Sequence, residues 1–414
     1  MKKLLNLEYA GIHGAYWMFY GVISSFASVF LLAKGFSNWH IGLVLAVANV
    51  LAVVMQPLVA DIADRSGRLS VIGISKILTV MMMAATTCLF IMDISMAALS
   101  VIFVLLIAWH TILRPLFNSL TFILEETGVD INFGVARSMG SLTYAALVAV
   151  LGTVVEKYGV MTLPVTGELI LVMLLLSLIV TGRSYKKGMR IRDNGVKESC
   201  GEALTDTDDG DGESETEAVN LMMFIRRNKL FFIVNLGVIG LYFSNSVLNN
   251  YMMQIVDGVG GTSEDMGRIL SVMAFCEIPA LVCFDWLRKR FSCQGMIKVA
   301  AVGFTVKIAM CWLADSVIMI LIAQFAQMVS FGLFVPAMVR FIDEIMSKGE
   351  AVKGQALFTT MVTATTVISS LLGGAILDMG GAKTLTFTST LVTAAGAAVV
   401  IAAVGRIEKK QRVK

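Results

Sequence analysis

Twelve runs, each of about 20 mostly apolar residues, fill nearly all of this chain. They lie at roughly 8–33, 39–63, 69–92, 96–122, 133–155, 160–182, 230–253, 266–286, 296–314, 317–341, 354–377 and 384–405. Runs of this kind are solvated by hydrocarbon, where an unpaired backbone N–H or C=O is too costly to keep, so each is expected to be an α-helix. Composition agrees: 57% of residues are hydrophobic and 15% charged, against about a quarter charged in soluble domains. The expected fold class is an all-α membrane protein of twelve transmembrane helices, in contact with the lipid bilayer throughout.

A charged, Gly- and acid-rich stretch, Arg183 to Lys229, leaves six runs on either side. The expected organisation is therefore a six-helix half (1–182), a partly disordered linker (183–229) and a second six-helix half with a short basic tail (230–414). The linker centre, Glu202 to Glu217, has acids spaced by Gly and Thr with no apolar period, which keeps it solvated. No register through it matches a calcium loop. The run after Lys2 and Lys3 continues to Ala33 without a small-residue cleavage site, as a retained span would.

Loop charge sets the orientation. Lys2, Lys3, Arg65, Arg68, Arg183, Lys186, Lys187, Arg226, Arg227, Arg288 to Arg290, Lys348, Lys353, Lys409 and Lys410 fall on one side, against Lys34, Lys157 and Lys383 on the other. By the positive-inside rule both termini and the linker are cytoplasmic, in a multi-pass protein of the cell membrane. The net charge of +3 serves that orientation and not a nucleic-acid surface. Cys88, Cys200, Cys276, Cys283, Cys293 and Cys311 show no metal-ligand spacing and read as small apolar residues. Neither a cofactor nor a metal site is expected.

Between the second and third runs the chain reads Gln56-Pro57, then Ala60-Asp61, then Asp64-Arg65-Ser66-Gly67-Arg68. An acid at a helix end, a Gly for a tight turn and arginines able to pair with either form a conformational latch. A degenerate copy follows the eighth run, where Pro279 precedes Asp285, Arg288, Lys289 and Arg290. Phe133-Gly134-Val135-Ala136-Arg137 is echoed by Lys353-Gly354-Gln355-Ala356-Leu357. These echoes mark two pseudo-symmetric halves. The loop resembles the D-R-x-G-R motif of the major facilitator superfamily, with Ala60 where that family usually has Gly.

Gly134-x-Ala136-Arg137, Gly140-Ser141, Phe331 to Phe334, Gly354 to Leu357, and Gly373-Gly374 with Asp378 resemble one branch of that superfamily. It is the branch containing lactose permease and the phenylpropionate permease-like proteins. The resemblance implies a central cavity between the halves, and many branch members move sugars or organic acids with a proton. It places Arg137 on the arginine that holds sugar hydroxyls and Tyr144 on the residue that stacks against the sugar. Asn118, with one loop residue inserted, falls where the branch has that arginine's carboxylate partner. Arg268 falls on an eighth-helix acid, Lys307 on a ninth-helix arginine, and Gln327 and Ser330 on a tenth-helix His and Glu. Four of these positions depart from sugar recognition and the usual proton site.

Ionisable residues inside spans face bundle interiors and mark pathways. His110, Arg114 and Asn118 recur at i, i+4 and i+8 on one helical face. As a cavity wall, Arg114 would clamp an anion or hydroxyl and His110 accept a proton; alternatively Arg114 snorkels and His110 bonds a neighbouring helix. Glu277 and Lys307 are placed to form a buried pair, either a proton switch or a static brace. Tyr20 and Ser24 in the first run, and Tyr242, Asn245, Asn249 and Asn250 in the seventh, add polar surface. His13 and Trp17 rank below Tyr20 and Asn245, because aromatic groups near span ends serve as interfacial anchors. The Thr and Ser run from Thr359 to Ser370 reads as helix packing.

Among the deep groups Arg114, Arg137 and Lys307 outnumber Glu277, so an anionic solute such as a carboxylate or sugar acid would balance the excess. Arginine also binds hydroxyls, which leaves neutral sugars open. The expected function is secondary active transport of a small polar solute by alternating access in a monomer, coupled to protons through Glu277 or His110. Efflux of lipophilic compounds is the rival within transport, and a membrane sensor or scaffold acting through the acidic linker is the rival outside it. An enzyme is not expected, since the spans hold no Ser/His, paired-Asp or metal arrangement.

Overall fold

The computed structural model describes residues 2–65, 70–90, 94–199, 224 and 226–412. Their helices are α1 (Lys2–Ala33), α2 (Asn38–Arg65), α3 (Val71–Cys88), α4 (Met96–Glu125), α5 (Phe133–Tyr158), α6 (Thr162–Ser199), α7 (Lys229–Asp257), α8 (Ser263–Arg288), α9 (Cys293–Leu313) and α10 (Val317–Ile345). One further helical stretch covers Lys348–Arg412. A straight helix through its 61-residue apolar part would measure about 90 Å, three times the ~30 Å hydrocarbon core.

That stretch is broken. Gly381 has φ 72° and ψ −174°, a left-handed value that costs glycine little, and it divides α11 (348–380) from α12 (382–412). The return of α12 is fixed at both ends. Lys383 Nζ donates to the Ala314 carbonyl (2.6 Å) at the end of α9, and Lys298 Nζ at the start of α9 donates to Glu408 Oε2 (2.6 Å). Among the described residues, twelve helices long and apolar enough to span a membrane result, as the sequence predicts. Lys2 and Arg412, the first and last described residues, lie at one end of the bundle, the base, and the opposite end is the tip.

Helix ends depart from the apolar runs because a helix continues past the hydrocarbon boundary wherever its side chains are soluble. Thus α6 runs on to Ser199, well into the charged stretch; the acidic centre Glu202 to Glu217 lies outside the described residues. The latch meets the same boundary. The backbone of α2 reaches Arg65, but the side chains of Asp64 and Arg65, and all of Gly67 and Arg68, lie outside the described residues.

Two helices change type midway, and α7 kinks at Tyr251 (φ −125°, ψ 22°). α1 opens into a π-helical turn at Gly21–Ser25. α10 consists of Val317–Ala323, a 3-10 turn at Gln324–Gln327 and Phe331–Ile345. Such breaks inside spans persist where the freed backbone lines a cavity or packs on protein. The α10 break packs closely on Gly303 of α9, whose Cβ, if present, would lie 3.2 Å from the Ser330 nitrogen.

The apolar interior separates into two clusters. One runs through α1 to α6 and crosses at the tip into the second half through Tyr251, Met266, Leu270 and Leu377. The other, around Phe304, Phe334 and Phe341, is confined to the second half. Gly374 of α11 lies against the backbone of Asn38 and Trp39 in α2, and Gly152 of α5 against Ser263 and Glu264 in α8, with no room for a Cβ in either place. Packing thus joins the halves at the tip and leaves a cavity below it.

Candidate functional site

The cavity encloses about 480 Å³ and draws its walls from both halves. Trp17, Tyr20 and Ser24 come from α1, Asn49 and Gln56 from α2, Thr111, Arg114 and Asn118 from α4, and Arg137, Ser141 and Tyr144 from α5. The second half contributes Tyr242, Asn245, Ser246, Asn249 and Asn250 from α7, Glu277 from α8, Gln327 and Phe331 from α10, and Thr359, Thr363 and Thr366 from α11. Its charged lining is Arg114 and Arg137 on the first half and Glu277 on the second, a net charge of +1 when all are ionised.

Local sequence explains how these groups are held. Pro115 has no N–H, so the Thr111 carbonyl one turn earlier loses its helical partner. Gln56 Nε2 of α2 supplies a substitute at 3.1 Å, tying α2 to α4 at the cavity wall. The π-helical turn in α1 brings Ser25 Oγ to 2.9 Å from the Tyr144 hydroxyl. Arg137 Nη1 donates to Ser141 Oγ (2.9 Å), one turn along α5, and its guanidinium lies 4.1 Å from the centre of the Trp17 ring. Arg114 approaches the same ring at 5.9 Å. Two cations therefore lie near one indole ring.

On the opposite wall the α10 break presents the Gln327 amide between two charges. Lys307 Nζ donates to Gln327 Oε1 at 2.5 Å, and Gln327 Nε2 donates to Glu277 Oε1 at 2.8 Å. A lysine 2% exposed is thereby coupled to an acid that faces the cavity. Among the described residues no three His, Cys, Asp or Glu cluster as metal ligands would.

A twelve-span bundle with a charged cavity between its halves is the architecture the sequence resemblance implies, and the sequence matches the MFS_1 like family over residues 9–388. The chain belongs to that family. Solved structures share the MFS_1 like fold of this chain. A variant of the nucleoside transporter NupG superposes with a TM-score of 0.76 and 15% identity, covering 97% of this chain and 99% of its own. A variant of the peptide transporter POT gives 0.62 and 13%, covering 97% and 93%. A bacterial homologue of the human lysosomal transporter Spinster, in an inward-facing, unoccupied conformation, gives 0.57 and 14%, covering 98% and 95%. No curated protein matches the sequence significantly. This MFS_1 like protein is a transporter of the MFS type.

Of the expected binding residues, Arg114, Asn118, Arg137, Tyr144, Tyr20, Asn245 and Gln327 line the cavity, as does the expected coupling acid Glu277. Lys307 does not, since it is buried behind Gln327. Arg268 does not line the cavity either. It sits in the first turns of α8 at the tip, half-exposed, paired with Glu264 one turn back and 3.8 Å from Asp265. His110 is also turned away from solute. Its ring stacks on Tyr16 (4.1 Å, 7° between planes), and Nε2 lies 3.0 Å from the Tyr16 carbonyl. Because a carbonyl only accepts, Nε2 carries the proton. The i, i+4, i+8 stripe therefore divides, Arg114 and Asn118 facing the cavity and His110 the helix interface.

The Glu277 and Lys307 side chains are joined through an amide and not as a direct pair. Trp17, ranked as an interfacial anchor, is part of the cavity wall. The Thr/Ser run of α11 splits by face: Thr359, Thr363 and Thr366 look into the cavity, while Thr365, Ser369 and Ser370 are buried. Asn49, Gln56, Thr111 and Ser141 are cavity residues that sequence reasoning missed. Gln56 beside Pro57, and Thr111 four residues before Pro115, carried the readable signal: a proline that frees a carbonyl and an amide able to take it.

Proposed function

We propose that this protein moves a small anionic solute, an organic acid or sugar acid, across the cell membrane by alternating access coupled to protons. The observation that carries this reading is the cavity's charge: two arginines on one half face a single acid on the other. A bound carboxylate offsets the excess positive charge, and the guanidinium fork suits its geometry. Closure at the tip with the cavity beneath it supports an inward-facing state, given the positive-inside orientation that makes the base cytoplasmic. Glu277 is the proton site of this proposal, because it alone among the cavity's charged groups can be neutralised by a proton.

One observation favours a second reading. Trp17, Tyr20, Tyr144, Tyr242 and Phe331 give the cavity aromatic faces, which suit a neutral hydroxylated ring compound, a nucleoside among them. The many Asn, Thr and Ser groups weigh against a pathway for lipophilic efflux. Counterflow into proteoliposomes, with organic acids, neutral sugars and nucleosides presented in parallel, tests the choice. Anion exchange that neutral compounds do not compete away is expected; transport of neutral sugars without competition by anions rejects the anionic reading.

A further inference from the structure

Four polar residues on the α7 and α11 wall of the cavity are held by their donor atoms. Asn249 Nδ2 donates to the Asn245 carbonyl one turn earlier (2.8 Å), and the Thr363 and Thr366 hydroxyls donate to the carbonyls of Thr359 (3.0 Å) and Val362 (3.1 Å). Asn250 Nδ2 donates to Ser370 Oγ (3.0 Å), whose own hydrogen goes to the Thr366 carbonyl (2.7 Å). Because a carbonyl only accepts, these bonds fix the direction of each group. All four residues line the cavity and are half-buried.

What remains to meet a solute is oxygen. An amide whose nitrogen is turned to the protein carries Oδ1 on its free side, and a hydroxyl whose hydrogen is spent offers its lone pairs. The two helices form one surface, since the Ser246 and Thr366 hydroxyls meet at 3.5 Å and Asn250 reaches across to Ser370. Glu277 of α8 adds a carboxylate to the same half of the lining. The other half has the reverse character, because Arg114 and Arg137 carry N–H groups and a guanidinium has no acceptor. Donors thus dominate the first half of the cavity and acceptors the second.

We propose that the solute is two-ended: a carboxylate for Arg114 and Arg137, and hydrogen-bond donors, hydroxyl or ammonium groups, for the oxygens of Asn249, Asn250, Thr363 and Thr366. This rests on the anionic reading above. The arginines supply attraction and the oxygens supply selection. An acid with an apolar tail would strip water from these oxygens and return no donor, a mismatch that sites built around hydrogen bonds reject strongly. Specificity therefore lies in neutral residues of α7 and α11, which read the end of the solute that carries no negative charge.

Thermal stabilisation of the full-length protein in detergent micelles, titrated with probes of matched length, tests this. The probes are gluconate, 6-aminohexanoate, hexanoate and the neutral polyol sorbitol, each to millimolar concentration. Gluconate or 6-aminohexanoate is expected to bind at least about tenfold more tightly than hexanoate, and the better of the two identifies the donor as hydroxyl or ammonium. Hexanoate binding as tightly as both overturns the two-ended solute and leaves the anionic reading standing. Sorbitol binding as tightly as gluconate rejects the anionic reading itself, and stabilisation by none of the four overturns the proposal. Thr363→Val/Thr366→Val keeps the shape of the wall and removes two oxygens. It is expected to bring the preference for the better probe over hexanoate to within about threefold. A merely structural role for these threonines would lower both affinities alike, and an unchanged ratio overturns their part in selection. Should the double variant fail to fold, the two single variants are read in the same way, each with a few-fold effect on the ratio.

Discussion

The guanidinium of Arg137 lies 4.1 Å from the centre of the Trp17 ring, tethered to Ser141 on the wall of the cavity. A contact of this type is worth about 0.5 to 2 kcal/mol, depending on how dry it is. Lysine keeps the charge but neither stacks flat nor offers a fork. Arg137→Lys is therefore expected to weaken uptake by about tenfold, and Trp17→Leu by a few-fold, in saturation kinetics of proteoliposome uptake. Wild-type affinity in both variants would show that this pair is not part of the binding wall.

Lys307 depends on the Gln327 amide. Gln327→Leu strands a buried ammonium, a loss on the order of 3 kcal/mol when the hydrogen-bonding group left unsatisfied is charged. Thermal unfolding in detergent should show a clear drop for this variant. The double variant Lys307→Met/Gln327→Leu, which removes the charge as well, should regain most of the stability. A double variant no more stable than the single would mean that Gln327 does not hold the lysine.

Glu277 is the acid within reach of both the cavity and the Gln327 relay. Glu277→Gln keeps the hydrogen-bonding shape and removes the ionisation. It is expected to abolish accumulation driven by a pH gradient while solute exchange persists. His110→Phe, which keeps the stack on Tyr16, is expected to retain that pH response and lose only about 1 kcal/mol of stability with the hydrogen bond to the Tyr16 carbonyl. Normal pH-driven accumulation in Glu277→Gln would reject it as the coupling site.

Arg268 pairs with Glu264 and Asp265 within its own helix, at a half-exposed position. Arg268→Ala should shift stability by no more than about 0.5 kcal/mol and leave the Michaelis constant for uptake within about twofold. A large rise in that constant would return this residue to the solute pathway.

Deletion of residues 200–217 removes the acidic linker centre and no part of the cavity. Uptake is expected to stay near wild type, as measured in cells at matched expression. Loss of function with normal membrane insertion would favour a scaffold that acts through its linker.

Arg114 and His110 show how far sequence reasoning reaches at the site. Helical period places both on one broad face, and Arg114 lies on the cavity wall. His110 lies one turn away, but its ring stacks on Tyr16 and bonds the Tyr16 carbonyl, which holds it in the helix interface. Similarly, Glu277 and Lys307 are legible as deep charges on successive spans, while the amide between them is not. Gln327 reaches that place only because α10 breaks into a 3-10 turn there, and nothing in an apolar run announces such a break.

The twelve spans and their helical state follow from sequence alone, because hydrocarbon leaves an apolar backbone of this length no other way to satisfy its N–H and C=O groups. Charge in the loops is likewise written in the chain. Tertiary structure decided which polar groups share a cavity, which are spent on helix packing, and which end of the bundle is closed. Those outcomes depend on the angles at which helices cross and on where they break. Both go with contacts between residues on different helices, such as Gln327 with Lys307 and Glu277, and helical period is blind to them.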